Sequence, residues 1–181
     1  NGKTPEDGYV RTVAEREVVR VAGDPIPNRG HRYVYPRKLK PDAFVPDAVD
    51  VLRRKLVEQP DGSVVIVSVG FMTNLARLLD SEPDAASPLT GMELIKRKVR
   101  LYVMMAGAYG PSAGPEYNVY IDADAAHKVF ERWPTPIVAS GYEIGVAIPY
   151  PAESIEKDFG YVANHPIAEA YRVFGKMPYD R

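Results

Sequence analysis

The chain contains no cysteine among its 181 residues. This absence excludes disulfide bonds, thiolate metal sites and cysteine nucleophiles, but it leaves the redox compartment open because cytosolic and exported proteins can both lack cysteine. The chain also lacks an excess of charge of one sign, since 23 basic side chains are balanced by 24 acidic ones. The composition therefore gives no indication of a nucleic-acid partner, which usually requires a clustered basic face.

Long apolar runs are missing as well. No segment approaches the ~20 consecutive apolar residues of a membrane-spanning helix, so we expect no membrane partner. The chain opens on Asn1 rather than on methionine, and the choice between a cytoplasmic and a periplasmic location therefore stays open. What is present is a hydrophobic fraction of 45%, which predicts one domain, residues 1–181, with a substantial core.

Residues 1–46 are the least regular part of the chain. Five prolines between Asp24 and Pro46 forbid a long helix there, because each removes a backbone donor and restricts the residue before it. The segment is also locally basic, with Arg29, His31, Arg32, Arg37, Lys38 and Lys40. We interpret it as a solvated surface loop, with a mobile lid over a polar or anionic ligand as the alternative.

Uncharged runs alternate with helical periodicity in the rest of the chain. Strands are predicted at residues 64–70, 99–106 and 136–140, and the first has the composition of a strand that is buried on both faces. Helices are predicted at residues 47–58, 74–79, 92–98, 122–132, 152–159 and 165–174. This alternation predicts an α/β fold with an open, mostly parallel sheet and helices on both faces.

Local patterns in these helices add three expectations. In the first helix, Leu52 and Leu56 belong to an apolar stripe, and Arg53 falls with other charged residues on the opposite, exposed face. Asp122 precedes the fourth helix and is interpreted as its N-terminal cap. His127 follows on the same helix and is expected to have no catalytic role.

Polar residues follow the ends of the predicted strands. Thr73 and Asn74 come after the first strand, Met105 lies at the end of the second, and Glu116 and Asn118 emerge from the loop that follows it. In open α/β sheets, ligands bind just past the carboxyl ends of the strands. Glu116 and Asn118 are two positions apart, so in an extended chain they point the same way and suit the vicinal hydroxyls of a sugar. The alternative is a surface pair without a ligand.

General motif templates add little to this picture. The sequence contains no phosphate-binding loop, dinucleotide fingerprint, nucleophile elbow or metal-binding histidine pair. Asn74, which follows the first strand as a candidate ligand-binding residue, has an alternative interpretation: it only starts the helix that comes next.

Three segments resemble those of the inosine–uridine type nucleoside hydrolase family. Residues 69–76, VGFMTNLA, are similar to the family's G-x-L-T-N-L-A segment, and residues 105–108, MAGA, are similar to M-G-G-A. Residues 116–126, EYNVYIDADAA, closely resemble E-F-N-I-x-x-D-P-E-A-A. The three segments occur in the family's order. Residues 133–145 resemble the corresponding segment of a bacterial, nucleoside-hydrolase-like branch of the family.

The resemblance implies a Rossmann-like fold and calcium-dependent hydrolysis of the N-glycosidic bond of ribonucleosides to ribose and free base, a reaction of purine and pyrimidine salvage. It implies that Thr73 gives its backbone carbonyl to calcium and that Glu116 and Asn118 bind ribose hydroxyls. It further implies that Met105 lines the ribose pocket, that Asn74 binds substrate, and that the protein forms homo-oligomers. The alternatives are a non-catalytic ribose- or nucleoside-binding module and a structural fragment that shares only the fold.

Two features of that family have no counterpart in the sequence. The aspartate-rich opening motif D-x-D-x-x-x-D-D, which supplies the base and most calcium carboxylates, does not occur, so no catalytic residue is identified. Residues 107–115 lack the family's ribose-binding asparagine. We therefore expect residues 1–181 to be part of a larger nucleoside-hydrolase-like domain, incomplete at both ends, and inactive alone because calcium needs six to eight oxygen ligands.

Overall fold

The computed structural model describes residues 44–111, 114–161 and 165–174. The chain divides into two compact units, whose described parts are chiefly residues 45–149 and residues 150–174. The predicted loop or lid at residues 1–46 lies almost entirely outside the described residues. The expected organisation, one domain within a larger fold, stays a prediction.

Helices and strands alternate in the first unit. Its elements are α1 (Ala48–Val57), β1 (Val64–Ser68), α2 (Thr73–Leu79), α3 (Gly91–Lys98), β2 (Val99–Met105), α4 (Tyr117–Tyr120), α5 (Ala123–Arg132), β3 (Ile137–Ser140) and α6 (Tyr142–Ala147). The second unit contains α7 (Ala152–Lys157), a 3₁₀ helix (Asp158–Tyr161) and α8 (Pro166–Phe174). The predicted strands and helices are therefore found close to their predicted bounds, whereas α4 and α6 have no counterpart among the predictions.

The three strands form a parallel sheet in the order β1-β2-β3. Near their carboxyl ends, Ser68 of β1 pairs with Met104 of β2, and Met105 of β2 pairs with Ser140 of β3. All three carboxyl ends consequently meet at one edge of the sheet. This arrangement confirms the predicted open, parallel α/β sheet.

One face of the sheet shares a hydrophobic core with α1, α2, α3 and α5. Side chains of this core that are less than 2% exposed are Met72, Leu78, Leu94, Ile95, Tyr102, Met104, Ala106, Ala126 and Val129. On the opposite face, Val65, Val67 and Val138 are 37%, 67% and 51% exposed. The expectation that the first strand is buried on both faces is thus wrong for the described residues, because its side chains alternate between the core and an exposed face.

Local hydrogen bonds explain where two of the helices begin. Thr90 and Glu93 form a capping box at the start of α3, in which the Glu93 carboxylate accepts a hydrogen bond from the Thr90 backbone N–H at 2.8 Å. Asp122 caps α5 and accepts a hydrogen bond from the Ala125 N–H at 3.4 Å. The prediction that Asp122 is a helix cap is confirmed.

Arg53 joins α1 to the segment that leads into α3. Its guanidinium donates hydrogen bonds to both carboxylate oxygens of Asp84, at 2.8 and 3.1 Å, and to the Ser81 hydroxyl at 2.9 Å. It also donates to the carbonyl oxygens of Ser87 and Leu89, at 3.3 and 2.8 Å. Arg53 is only 1% exposed, so its predicted place on the solvent face of the helix is wrong.

Gly91 lies where α3 begins against the end of α2. A Cβ atom at this position would lie 1.6 Å from the Leu78 carbonyl oxygen and 2.4 Å from the Ser81 hydroxyl oxygen. We expect Gly91→Ala to lower the free energy of unfolding by about 3 kcal/mol, at the upper end of overpacking costs, as measured by urea denaturation.

Gly145 provides the matched control for this substitution. It lies within α6, and a Cβ atom there meets no atom within 4 Å. Gly145→Ala is expected to leave stability unchanged or to raise it by about 0.5–1 kcal/mol, because alanine restricts the unfolded chain. Equal destabilisation by the two substitutions would show that the contact at Gly91 is not the cause.

Candidate functional site

The carboxyl edge of the sheet brings together three of the predicted site residues. Met105 ends β2, and Glu116 and Asn118 lie at the start of α4. The Asn118 side-chain amide donates a hydrogen bond to the Met105 carbonyl oxygen at 3.1 Å and lies 3.0 Å from the Met105 sulfur. This bond leaves Oδ1 of Asn118 as an acceptor that no described residue uses.

The Glu116 carboxylate holds the turn that carries Asn118. It accepts hydrogen bonds from the backbone N–H groups of Gly107 at 3.1 Å, Asn118 at 2.9 Å and Val119 at 3.3 Å. The predicted extended geometry of Glu116 and Asn118 is therefore wrong, because Glu116 is the N-cap of a short helix. A carboxylate offers about four acceptor positions, so its bonds to the described residues leave roughly one for a ligand.

Thr73, the predicted calcium ligand, lies at the first position of α2. Its hydroxyl donates a hydrogen bond to the Asp122 carboxylate at 2.5 Å, and Asp122 is 8% exposed. Nearby, the rings of Phe71 and Tyr117 lie with their centroids 5.8 Å apart. These contacts connect the end of β1 to α4 and α5, so the residues after β1 and those after β2 lie at the same edge.

Asn74 differs from the other predicted residues. It is the second residue of α2, whose N-cap is Met72, and its side chain is exposed. No hydrogen bond joins it to Glu116 or Asn118 among the described residues. Its role in substrate binding, like those of Met105, Glu116 and Asn118, remains a prediction.

Glu143 is a residue of this edge to which sequence reasoning gave no role. One oxygen of its carboxylate accepts hydrogen bonds from the backbone N–H groups of Tyr109 at 2.7 Å and Gly110 at 2.6 Å. Backbone N–H groups, its own first, hold the pKa of Glu143 below its usual value. The only sequence signal was position, since residues 107–115 and 141–143 each follow a predicted strand.

The residues described here do not form a calcium site by themselves. They contain no group of three or more histidine, aspartate and glutamate side chains placed to hold a metal ion. A single carbonyl oxygen from Thr73 does not meet the need of calcium for six to eight oxygen ligands.

The helices of the described residues are all too short or too polar to cross a membrane.

Comparison with known proteins gives one family over nearly the whole chain. Residues 13–177 match the family model described as inosine-uridine preferring nucleoside hydrolase. The pyrimidine-specific ribonucleoside hydrolase RihA of Citrobacter koseri is 34% identical over 115 residues, which are 61% of this chain and 32% of that protein. An Escherichia coli RihA is 36% identical over 110 residues, which are 56% of this chain and 31% of that protein.

The fold has a counterpart among solved structures. The inosine-uridine preferring nucleoside hydrolase from Bacillus anthracis superposes with a TM-score of 0.53 at 19% identity, covering 73% of this chain and 44% of that one. This similarity concerns the fold alone. The chain spans about a third of the length of the curated relatives it matches. On the family match across residues 13–177, the chain belongs to the inosine-uridine preferring nucleoside hydrolase family.

Proposed function

We propose that the protein hydrolyses the N-glycosidic bond of ribonucleosides and that this chain supplies the sugar-binding half of the site. The observation that carries the proposal is the linked group of Met105, Glu116 and Asn118 at the carboxyl edge of the parallel sheet. Membership of a nucleoside hydrolase family supports the same activity.

The chemistry of this group suits a ribose diol. Glu116 keeps about one acceptor position, and Oδ1 of Asn118 is a second acceptor, so two adjacent hydroxyls of the sugar donate to them. The bond from Asn118 to the Met105 carbonyl fixes the direction of the amide. In this proposal Glu116 and Asn118 bind and orient the sugar, while the groups that activate water lie outside the described residues.

We include calcium in the proposal as a requirement of the full-length protein. When bound, a hard cation orients hydroxyl oxygens and lowers the pKa of a bound water. Its ligands would have to come chiefly from outside the described residues, because those residues contain no suitable cluster. Thr73 would contribute at most its carbonyl oxygen.

Release of free base from uridine and inosine by the full-length protein tests this function. We expect hydrolysis to be lost on removal of calcium with a chelator and restored by adding calcium back. The 2′-deoxy analogues provide the control for sugar recognition, because a site built to bind a hydroxyl rejects analogues that lack it by about 10⁴-fold or more. Binding of ribonucleosides without any base release would instead indicate a non-catalytic nucleoside-binding protein.

A further inference from the structure

The ring of Tyr109 is held at the same edge of the sheet while most of the residue stays exposed. Tyr109 is 66% exposed, and its hydroxyl donates a hydrogen bond to the Ala106 carbonyl oxygen at 3.2 Å. The ring lies so close to two backbone segments that a Cβ atom at Gly107 would be 2.7 Å from the hydroxyl oxygen and one at Gly141 would be 2.6 Å from Cδ2. The ring therefore rests on glycine backbone with its polar tip satisfied.

Glu143 fixes the backbone that carries this ring. Its Oε1 atom accepts hydrogen bonds from the N–H groups of Tyr109 and Gly110. The backbone N–H of Glu143 itself, together with those of Gly110 and Tyr109, lowers the pKa of the carboxyl group, so Glu143 is ionised at neutral pH and remains a strong acceptor. A further backbone bond joins the segments after β2 and β3: the Gly107 carbonyl accepts a hydrogen bond from the Tyr142 N–H at 2.9 Å.

The same backbone connects the ring to the proposed sugar site. Gly107, under the Tyr109 ring, donates its N–H to the Glu116 carboxylate at 3.1 Å. A ribonucleoside whose sugar is bound by Glu116 and Asn118 carries its base immediately beside that sugar. Exposed aromatic rings are the usual stacking surfaces for bases, because every base has a π-face.

We propose that the Tyr109 ring is the stacking surface for the nucleobase and that Glu143 is a positioning residue that holds it there. The inference rests on the proposed function, since the position of the base is deduced from the proposed position of the sugar at Glu116 and Asn118. It is supported by the exposure of Tyr109, which is 66%, and by Gly107, which lies against the ring and donates its N–H to Glu116. Stacking is tolerant of base identity, so the inference predicts similar effects for purine and pyrimidine nucleosides.

Steady-state kinetics of the full-length protein test the role of Tyr109. We expect Tyr109→Ala to raise KM for both uridine and inosine about tenfold, within the range of base stacking on an aromatic ring. We expect kcat and the inhibition constant of ribose to stay unchanged. Tyr109→Phe keeps the ring and should change KM by less than about twofold. Phe130→Ala, on α5 about 12 Å along the helix from Asp122, is the control for removing a partly exposed ring.

The positioning role of Glu143 is tested in the same way, by measuring whether a substitution changes KM while kcat stays unchanged. Glu143→Ala should raise KM as Tyr109→Ala does, whereas Glu143→Gln keeps one acceptor oxygen and should restore most of the wild-type value. Hydrogen exchange should show faster exchange of the Tyr109 and Gly110 amides in Glu143→Ala than in Glu143→Gln. A loss of kcat that is equal in both Glu143 variants, with KM unchanged, would overturn the positioning role.

Ligands that carry only one part of the nucleoside separate this inference from the proposed function. Binding of uracil or hypoxanthine that depends on Tyr109, in a protein that binds no ribose, would support the stacking surface and refute the sugar site. Ribose binding that depends on Glu116, with a KM for nucleosides that is unaffected by Tyr109→Ala, would refute the stacking surface alone.

Discussion

Arg53→Ala is expected to lower the free energy of unfolding by about 3–5 kcal/mol, because it opens a cavity at a buried position and removes a donor from two carbonyl oxygens. The guanidinium satisfies the Ser87 and Leu89 carbonyl oxygens and the Ser81 hydroxyl, besides the Asp84 carboxylate. Alanine removes all of these donors and leaves a cavity. Since the Asp84 side chain is 34% exposed, water can replace part of its lost bonds, and most of the cost comes from the cavity and from the Ser87 and Leu89 carbonyl groups.

The adjacent residue offers a control for this prediction. Arg54 is exposed, and within the described residues its guanidinium donates only to the Asp50 carbonyl oxygen of its own helix, at 3.2 Å. Arg54→Ala should change stability by no more than about 0.5 kcal/mol. Chemical denaturation of the two variants gives both values, and similar losses for Arg53→Ala and Arg54→Ala would contradict the account of Arg53.

The stability that the pair of Arg53 and Asp84 contributes is expected to depend on pH. The hydrogen bond from Arg53 is the main cause that lowers the pKa of Asp84 below 3.8. A group with a lowered pKa contributes its stability above the unfolded-state pKa and loses it as the pH falls through the folded-state value. The difference in stability between the wild type and Arg53→Ala should therefore be largest near neutral pH and should narrow below about pH 4.

Of the substitutions considered, Glu116→Ala should produce the largest loss of activity, lowering kcat/KM of the full-length protein for ribonucleosides about 100- to 1000-fold. This loss corresponds to about 2.7–4 kcal/mol of transition-state stabilisation. The substitution removes the acceptor for the sugar and also the carboxylate that holds Gly107, Asn118 and Val119 by their N–H groups. The loss of the acceptor and the loosening of this backbone would both leave the sugar less well positioned.

Two further variants make this prediction specific. Glu116→Gln keeps the size of the side chain and one acceptor oxygen, so its loss should lie between those of the wild type and Glu116→Ala. Glu131→Gln, an exposed substitution on α5, should leave kcat/KM unchanged. Thermal unfolding of each variant shows whether it is folded at the assay temperature. Full activity in a folded Glu116→Ala protein would refute the assignment of Glu116 to the sugar.

The sheet and its functional edge could be predicted because their signals are local. The run Val64 to Ser68 contains five residues without charge between a turn and a helical segment, which is enough to indicate a strand. Parallel strands in succession then place Met105 and the residues after it at one edge. For the same reason Asp122 was recognised, since a helix cap depends on its next few residues.

The features that could not be predicted depend on distant partners. Arg53 is buried only because Asp84, 31 positions later, supplies a carboxylate, and helical periodicity alone places it on the solvent face. Glu116 starts a helical turn because its carboxylate accepts nearby N–H groups, one of them from Gly107. The contact of Glu143 with Tyr109 spans 34 positions and has no local signal.

Calorimetric titration of ribose into the full-length protein, with millimolar calcium, tests the central claim most directly. We predict that the wild type binds ribose and that Asn118→Ala weakens binding about tenfold or more, as expected for a lost acceptor at a hydroxyl and an untethered Met105 carbonyl. Unchanged affinity in a folded Asn118→Ala protein, or no ribose binding by the wild type with calcium present, would contradict the assignment of this edge to the sugar.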